Sequence, residues 1–292
     1  MEVNGVLEQS FKKWLHTLGY AESTVYASTH YVRDFFKWLE SQEIKELNQI
    51  TKPTIKSYHN HLQTRKNKRQ SGSLSQNSIT GNINALKRLS RYLQETGKAI
   101  IEIDLQLPAA QGQTLNVLTQ TEVQKLYHAC GDSTLGKRDK ALLDIYYGCG
   151  LRRSEGINLD LSDILLKEKL VHVRSGKGYK ERYVPITETL KESLANYINT
   201  ARKELLESNN QKETAFFLGV TGKRPCGVTA ITRVQQLAKA ANLDKTIGLH
   251  TLRHSIATHL LQSGMGLENV SRFLGHSSLE STQIYTHLKH EV

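Results

Sequence analysis

The sequence predicts a mostly α-helical protein of two domains, with a small antiparallel β-sheet in the second domain. Three observations support this fold class. Apolar residues recur at helical spacing through residues 6–98, and a stretch containing Pro and Gly at 100–116 interrupts that pattern. Beyond it, short strand-like segments stand between longer helical ones. We therefore predict a four-helix domain over residues 1–99, a linker over 100–116 and an α-rich domain over 117–292.

The four helices of the first domain follow from apolar stripes and from residues that begin or end helices. The first stripe starts at Leu7, and the second helix begins near Ser23, a residue type that caps helix N-termini. Pro53 suits the first turn of a third helix, where backbone N–H groups have no acceptor within the helix. The fourth helix is predicted to start near Ser75 and to end at Gly97, because glycine readily adopts the left-handed conformation that closes many helices.

The second domain is predicted to open on Thr119-Gln120-Thr121-Glu122, a capping-box sequence in which the Thr and Glu side chains bind each other's backbone N–H groups. A long helix is expected from about residue 137 to residue 147. Strand-like segments then follow at residues 164–166, 170–173 and 183–186. The sequence Gly176-Lys177-Gly178 marks the turn between the last two segments. From residue 187 onward the pattern is helical almost to the end.

Charge and composition narrow the possible functions. The 292-residue chain has 39 Lys+Arg against 28 Asp+Glu, a formal net charge of +11, which favours a polyanionic partner such as nucleic acid. No segment approaches the roughly 20 apolar residues of a membrane span, and the N-terminus does not resemble a signal peptide. Three widely spaced cysteines are typical of a reduced, intracellular protein. We expect a cytoplasmic location and no membrane partner.

The first domain is the more basic for its size, since residues 1–100 hold 15 Lys+Arg and 8 Asp+Glu. A basic run lies between its third and fourth helices. Such a run is often only a solvated loop, but the lack of a catalytic constellation in this domain favours a DNA clamp. The candidate DNA-binding residues are Arg65, Lys66, Lys68, Arg69, Lys87 and Arg88.

The second domain holds residues suited to attack on a phosphodiester without a metal. Arg152 and Arg253 are candidates to neutralise the negative charge that builds up on the non-bridging oxygens in the transition state. Each has a polar neighbour three residues away, Glu155 and His250 respectively, a spacing that places both members on one helix face. Tyr285 is the candidate nucleophile, which basic neighbours would activate.

Each of these residues also has an ordinary structural interpretation. An Arg-x-x-Glu or His-x-x-Arg pair is usually a surface pair, and Tyr285 could be an aromatic residue of an amphipathic helix. Lys177, a candidate general acid at the hairpin tip, could be a solvated turn lysine. His250 and His254 are four residues apart, but they lack the third ligand that a metal site needs. No Gly-rich loop for ATP is present, so we expect no metal and no cofactor.

Taken together, the motifs resemble those of the tyrosine recombinases, also called phage-type integrases, and most closely the Xer-like members. The family motif that carries the first catalytic arginine is matched here by Gly150-Leu151-Arg152-Arg153-Ser154-Glu155. The family's β-hairpin that carries the catalytic lysine is matched by Gly176-Lys177-Gly178-Tyr179-Lys180-Glu181-Arg182-Tyr183-Val184-Pro185. His250-Thr251-Leu252-Arg253-His254 resembles the His-x-x-Arg box. Leu274-Gly275-His276 carries the third basic position and Tyr285 the nucleophile.

The resemblance implies a SAM-like core-binding domain in the first hundred residues and a catalytic domain from about residue 117. It implies that Tyr285 forms a 3′-phosphotyrosyl bond with DNA while Arg152, Arg253 and His276 hold the scissile phosphate. Lys177 would protonate the leaving oxygen, and His250 would take part in proton transfer at the tyrosine. Glu155 would support the site without reacting.

The implied partner is double-stranded DNA with paired inverted half-sites. Four protomers, identical or shared with a sister recombinase, would exchange strands through a Holliday junction. Two residues depart from the family pattern: Arg153 and Gly156 stand where aliphatic residues are usual, and Gly156 is expected to shorten or bend its helix. A type IB topoisomerase-like enzyme and a DNA-binding regulator without catalysis are the alternative functions.

Overall fold

The structure is a computed structural model that describes residues 2–66, 72–105, 116–174, 181–209 and 212–275. It divides into two compact units, Met1–Gly112 and Gln113–Val292. Both units are mainly helical, which confirms the predicted fold class. Most of the linker predicted for residues 100–116 lies outside the described residues, so its bounds stay a prediction.

Within the described part of the first unit the chain forms helices α1 (Glu2–Thr17), α2 (Glu22–Ser41), α3 (Lys52–Thr64) and α4 (Gln76–Glu95). Their apolar faces enclose a shared core, in which the side chains of Phe11, Phe35 and Tyr58 are fully buried. The rings of Phe35 and Tyr58 meet edge to face, with centroids 4.8 Å apart. Burying a side chain of this size contributes about 1.5–3 kcal/mol, so the predicted apolar stripes account for the helical domain.

The helix ends of this unit agree with the sequence in part. The Ser75 side chain accepts a hydrogen bond from the backbone N–H of Ser78 at 3.3 Å, so it caps α4 as predicted. Gly97 follows that helix with φ of 63°. The cap predicted at Ser23 is wrong, because α2 begins at Glu22 after Ala21 and no side chain caps it. Ser23 therefore lies inside the first helical turn.

In the second unit the described helices are α5 (Gln120–Cys130), α6 (Thr134–Leu143), α7 (Arg153–Ile157), α8 (Glu188–Asn199), α9 (Ala201–Glu207), α10 (Gly227–Ala240), α11 (Leu249–Gln262) and α12 (Leu267–Leu274). The strands are β1 (Ile164–Leu165), β2 (Leu170–Val173) and β3 (Arg182–Pro185). They form an antiparallel sheet in the order β1-β2-β3, in which Val171 pairs with Ile164 and with Val184. The predicted small antiparallel sheet is confirmed.

The start of α5 follows the predicted capping box. The Thr119 hydroxyl accepts from the backbone N–H of Glu122 at 3.1 Å, and the Glu122 carboxylate accepts from the backbone N–H of Thr119 at 2.7 Å. These two bonds satisfy donors that the first turn of a helix leaves unpaired. Local chemistry is therefore enough to begin the second domain.

The helix predicted to run to residue 147 instead ends at Leu143, and a π-helical turn covers Asp144–Gly148. The backbone N–H of Cys149 donates to the Asp144 carbonyl at 2.9 Å, which gives the wider turn. The buried Asp144 carboxylate accepts hydrogen bonds from the hydroxyls of Tyr127 and Ser193. These long-range contacts stabilise a turn that helical periodicity does not reveal.

A large core joins α5, α6, α8, α10, the sheet and the start of α11. Its fully buried side chains include Tyr146, Tyr197, Phe216, Val171 and Leu252. A smaller cluster of Ala257, Leu261, Val270 and Leu274 packs α12 against α11. The described helices include none long and apolar enough to cross a membrane.

Candidate active site

Glu155 is the buried carboxylate at the centre of the candidate site, with 1% of its side chain exposed. Arg182 binds it through both guanidinium nitrogens, Nη1 to Oε1 at 3.1 Å and Nη2 to Oε2 at 2.9 Å. Arg152 donates from Nη1 to Oε1 and from its backbone N–H to Oε2, each at 2.8 Å. Nη1 of Arg253 lies 3.9 Å from Oε2. Among the described residues, three guanidinium groups thus surround this carboxylate.

The charge state of Glu155 is set by two opposing effects. Burial raises its pKa, but hydrogen bonds and charges from Arg182 and Arg152 outweigh burial and lower the pKa to about 2. Glu155 is therefore ionised at neutral pH. Three positive charges against one negative charge leave the site electropositive, which suits an anionic ligand such as a phosphodiester.

Arg152 reaches this position through the turn that ends the π-helical segment. Gly150 has φ of 60°, a left-handed conformation, and a Cβ there would lie 2.9 Å from Cδ2 of Leu274. Arg152 itself has extended backbone angles and stands immediately before α7. The expected pairing of Arg152 and Glu155 along one helix face is therefore wrong in its geometry. The pair forms instead at the helix start, where the Glu155 carboxylate binds the Arg152 backbone N–H.

Gly156 allows α7 to pack closely against the π-helical turn. A Cβ at this position would lie 2.7 Å from ring carbons of the buried Tyr146. The Tyr146 hydroxyl donates to the Arg153 carbonyl at 3.1 Å. Helix α7 has five residues and ends at Ile157, directly after Gly156. The absence of a Cβ at Gly156 thus leaves room for the nearby tyrosine ring.

Arg253 lies in the first half of α11 and is 4% exposed. Its Nη1 donates to the Gly150 carbonyl, and its Nη2 donates to the Leu274 carbonyl at 2.8 Å. The same side chain therefore contacts the turn that precedes Arg152 and the end of α12. Fixing a guanidinium in this way reduces the entropy lost when it binds a ligand.

The C-terminus of α12 is bound by the same three arginines. Arg182 Nε donates to the Phe273 carbonyl at 3.3 Å, Arg253 Nη2 to the Leu274 carbonyl at 2.8 Å, and Arg152 Nη2 to the Gly275 carbonyl at 2.8 Å. Carbonyls at a helix C-terminus lack helical donors and carry partial negative charge. Cationic donors therefore stabilise this helix end, which directly precedes His276 in the sequence.

Arg182 is the residue of this site that the sequence interpretation did not include among the functional residues. It stands on β3 at the same face as Val184, which is fully buried. An arginine on the inward face of a strand needs a buried anionic partner. That alternation is the signal that could have identified it.

His250 and His254 lie one turn apart on α11, with ring centroids 6.4 Å apart. Burial lowers the pKa of His250, and the positive charges of Arg253, Arg153 and Arg152 lower it further. Burial, His250 and Arg253 lower the pKa of His254 to about 4. Both rings are therefore mainly neutral at pH 7, and a neutral imidazole can accept a proton. Within the described residues, no group of three His, Cys, Asp or Glu side chains is placed to hold a metal ion.

Three predicted catalytic residues, Lys177, His276 and Tyr285, lie outside the described residues. The structure brings Arg152, Arg253 and Glu155 together, and it places His250 on the helix that carries Arg253. The roles of all these residues stay predictions.

The predicted DNA-binding residues of the first unit differ in their surroundings. Lys66 and Lys87 are exposed, whereas Arg65 pairs with Asp34 at 3.3 Å. The Arg88 guanidinium lies 5.6 Å from the centre of the Tyr20 ring. Lys68 and Arg69 lie outside the described residues. DNA binding by this set stays a prediction.

Comparison with known protein families identifies both units. Residues 116–291 match the phage integrase family, and residues 7–97 match the N-terminal SAM-like domain of phage integrases. Among curated relatives, tyrosine recombinase XerC of Oceanobacillus iheyensis is 34% identical over 259 residues, which are 87% of this chain and 82% of the relative. Tyrosine recombinase XerD of Halalkalibacterium halodurans is 33% identical over 294 residues, 98% of this chain and 94% of the relative.

Solved structures have the same fold. XerH site-specific recombinase bound to its difH substrate matches with a TM-score of 0.71 and 22% identity, over 97% of this chain and 81% of that chain. A lambda integrase tetramer bound to a Holliday junction matches with a TM-score of 0.71 and 16% identity, over 95% of this chain and 76% of that chain.

Proposed function

This chain belongs to the phage integrase family and is a tyrosine recombinase. From that premise we propose how it exchanges DNA strands. Such an enzyme carries out site-specific recombination by cutting and rejoining DNA strands. The observation that carries the proposed mechanism is the convergence of Arg152 and Arg253 beside Glu155, from segments far apart in the chain.

In the first step, the phenolic oxygen of Tyr285 attacks the phosphorus of the scissile phosphodiester. A bond forms between this oxygen and phosphorus, and the bond from phosphorus to the 5′ oxygen breaks. The tyrosine proton passes to His250, whose lowered pKa keeps it ready to accept a proton at neutral pH. The departing 5′ oxygen receives a proton from Lys177, which leaves a 5′-hydroxyl and a 3′-phosphotyrosyl bond.

Arg152, Arg253 and His276 bind the non-bridging oxygens of the phosphate while negative charge increases there. Arginine suits this role because its planar guanidinium stays charged and donates to two oxygens at once. In acyl transfer, removing one hydrogen-bond donor to the oxygen that gains charge in the transition state costs about 2.7–4 kcal/mol. The covalent bond to tyrosine preserves the free energy of the phosphodiester, so rejoining needs no ATP.

We propose that the partner is double-stranded DNA with paired inverted half-sites, bound by four protomers that are all identical or are shared with a sister recombinase. The DNA complex of XerH and the lambda integrase tetramer on a Holliday junction support this assembly by similarity of fold. A recombinase acts where its DNA is, so we also propose a cytoplasmic location. The basic first unit would act as the clamp on the duplex.

The decisive experiment uses a suicide substrate, a duplex with a nick close to the cleavage position on its 3′ side, so that the short fragment carrying the new 5′-hydroxyl diffuses away and rejoining stops. We expect the wild-type chain to form a covalent protein–DNA adduct on a denaturing gel. Tyr285→Phe lacks the nucleophilic oxygen and should form none while still binding the duplex. An adduct that persists in Tyr285→Phe contradicts the assignment of the nucleophile.

Substrate choice separates the proposal from the alternatives. A recombinase requires its own paired site, whereas a topoisomerase-like enzyme would relax plasmids of any sequence. A regulator without catalysis would bind a site and form no adduct. The candidate sites are taken from the DNA that flanks the coding sequence, located first by footprinting.

A further inference from the structure

Arg182 makes contacts in the candidate site, but the proposed mechanism assigns it no role. It binds both oxygens of Glu155 and also donates to the Phe273 carbonyl at the end of α12. Its side chain is 11% exposed, so it lies below the surface that a DNA strand would reach. One side chain thus joins β3, the start of α7 and the end of α12.

The bidentate pair of Arg182 and Glu155 determines which arginine neutralises the buried carboxylate. Two guanidinium nitrogens of Arg182 occupy both oxygens of Glu155, and the pair approaches the parallel geometry that carboxylates prefer. Arg152 contributes one side-chain bond to Glu155. Without Arg182, the buried carboxylate would need its charge balanced by Arg152 and by Arg253, whose Nη1 is already 3.9 Å away. Both arginines would then turn from the phosphate towards Glu155.

Arg182 also contacts the C-terminal end of α12. A Cβ at Gly275 would lie 2.8 Å from Cδ of Arg182, so the helix end packs directly against this side chain. Gly275, the residue that precedes His276 in the sequence, has φ of 65°, a left-handed conformation that closes the helix. The apolar cluster that packs α12 on α11 is small. The polar contacts at the carbonyls therefore contribute much of what fixes this end.

Resting on the proposed function, we propose that Arg182 is a positioning residue of the strand-cleavage reaction: it balances the charge of Glu155, so that Arg152 and Arg253 stay directed at the phosphate, and it holds the end of α12 that leads to His276. Arg182 does not touch the phosphate in this scheme. It acts through Arg152, Arg253 and the backbone of α12. Its loss should therefore slow cleavage more than it weakens DNA binding.

The test compares Arg182→Ala and Arg182→Lys with the wild-type chain on the suicide substrate. We measure the first-order rate of adduct formation at saturating protein and, separately, the affinity for the intact duplex. Arg182→Ala should cleave on the order of 10- to 100-fold more slowly, because small displacements of catalytic groups have effects of that size. Its affinity for DNA should stay within about threefold, because Arg182 makes none of the phosphate contacts that dominate affinity for DNA. Arg182→Lys keeps the charge but loses the bidentate geometry, and its rate should fall between the two.

Arg233→Ala is the matched control, because Arg233 pairs with a different buried carboxylate, that of Asp139. It removes an ion pair of the same kind without touching Glu155 or α12. Hydrogen exchange of the backbone amides of residues 267–275 provides a readout that does not depend on activity. Exchange should become faster in Arg182→Ala and stay unchanged in Arg233→Ala.

The outcomes separate the inference from the proposed function. Wild-type cleavage rates in a folded Arg182→Ala, or parallel losses of affinity and rate that Arg233→Ala also shows, overturn the positioning role. If Arg182→Ala does not fold, Arg182→Lys decides by the same comparison of rate with affinity. If the wild-type chain forms no adduct with its footprinted site, the proposed function fails. Hydrogen exchange then decides the structural contact by itself: faster exchange of residues 267–275 in the Arg182 variants supports it, and unchanged exchange in those variants rejects it.

Discussion

Glu155 shows at the scale of one residue how a carboxylate can be both buried and ionised. Removing a carboxylate from water costs several kcal/mol, and that cost is offset when well-placed cations and hydrogen bonds replace the solvent. Arg182 and Arg152 do this with four hydrogen bonds between 2.8 and 3.1 Å. The carboxylate in turn keeps the arginines oriented, so the stability of this cluster and the shape of the candidate site depend on the same contacts.

The pKa of Glu155 leads to a prediction about acid stability. The pKa of Glu155 is about 2 in the folded chain against an ordinary value of 4.5, so the folded state favours the ionised form. This contribution is fully present above pH 4.5 and is lost as the pH falls through about 2. By pH 3 the wild-type chain should lose about 2 kcal/mol of unfolding free energy through this group. Urea unfolding at pH 7 and pH 3 measures the loss, and Glu155→Gln should lack it.

Asp132→Asn is the control for this prediction. Asp132 also pairs with a cation, Lys140 at 2.8 Å, but 92% of its side chain is exposed. Solvent screens such a pair, so the variant should keep the acid sensitivity of the wild-type chain. Equal losses between pH 7 and pH 3 in the wild-type chain and in Glu155→Gln would contradict the role of Glu155.

At the scale of secondary-structure elements, two helices present the candidate site. Helix α7 begins where the π-helical turn and Gly150 redirect the chain, which brings Arg152 to the helix start. Helix α11 contributes His250 and Arg253 from its N-terminal half. The end of α12 lies against the guanidinium groups of both elements. The polar groups of the candidate site thus lie where α7, α11 and the end of α12 meet.

Helix α11 should be sensitive to mild acid. Burial lowers the pKa values of His250, His254 and His259, and that of His254 falls to about 4 from an ordinary value of 6.5. The folded state therefore favours neutral imidazoles. Their contribution is fully present above pH 6.5 and is lost as the pH falls through the lowered values. His254 should account for about 2 kcal/mol of the unfolding free energy lost between pH 7.5 and pH 5.

Urea unfolding of His254→Gln at the same two pH values tests this expectation. The variant should lose less stability in acid than the wild-type chain does. His128→Gln, which changes an exposed histidine of α5, is the control and should behave like the wild-type chain. If His254→Gln and the wild-type chain lose the same free energy, burial of this imidazole is not the cause of the acid sensitivity.

At the scale of the whole molecule, the charge is divided unequally between the two units. The first hundred residues hold 15 Lys+Arg and 8 Asp+Glu, whereas the candidate active site lies in the second unit. A basic unit without a reaction centre suits binding to the DNA backbone, where each phosphate contact releases counterions. Changes in the first unit should therefore lower the affinity for DNA more than they lower the cleavage rate.

Neutralising Arg65, Lys66, Lys68 and Arg69 to Gln should weaken DNA binding and reduce its dependence on salt. Each lost phosphate contact lowers the slope of log K against log salt by roughly 0.9. Arg65 already pairs with Asp34, so most of the effect should come from the other three residues. Filter binding at salt concentrations from roughly 50 to 200 mM gives the slope of log K against log salt.

A second fourfold variant controls for net charge. It changes the exposed lysines Lys12, Lys13, Lys37 and Lys45 of the same unit, which are not among the predicted contacts. This variant should keep the salt slope closer to that of the wild-type chain. An unchanged slope in the first variant would mean that the basic run is a solvated loop.

Much of the fold could be predicted from the sequence because it depends on local chemistry. Apolar spacing indicated the four helices of the first unit, Thr119 and Glu122 indicated the start of α5, and the short strand-like segments indicated the sheet. Arg152, Arg253, Glu155 and Tyr285 stood out because reactive residue types fell in recognisable motifs. The roles of Lys177, His276 and Tyr285 rest on those motifs, since these residues lie outside the described ones.

The sequence by itself determined the helical class, the family and the candidate residues, since each depends on residues close together in the chain. Tertiary structure decided what those residues contact. Leu143 ends α6 because Asp144 is bound by side chains distant in sequence. Arg182 belongs to the site because folding brings β3 to Glu155 and to the carbonyl of Phe273. Such contacts join segments whose spacing carries no periodic signal, so they form only when the whole unit packs.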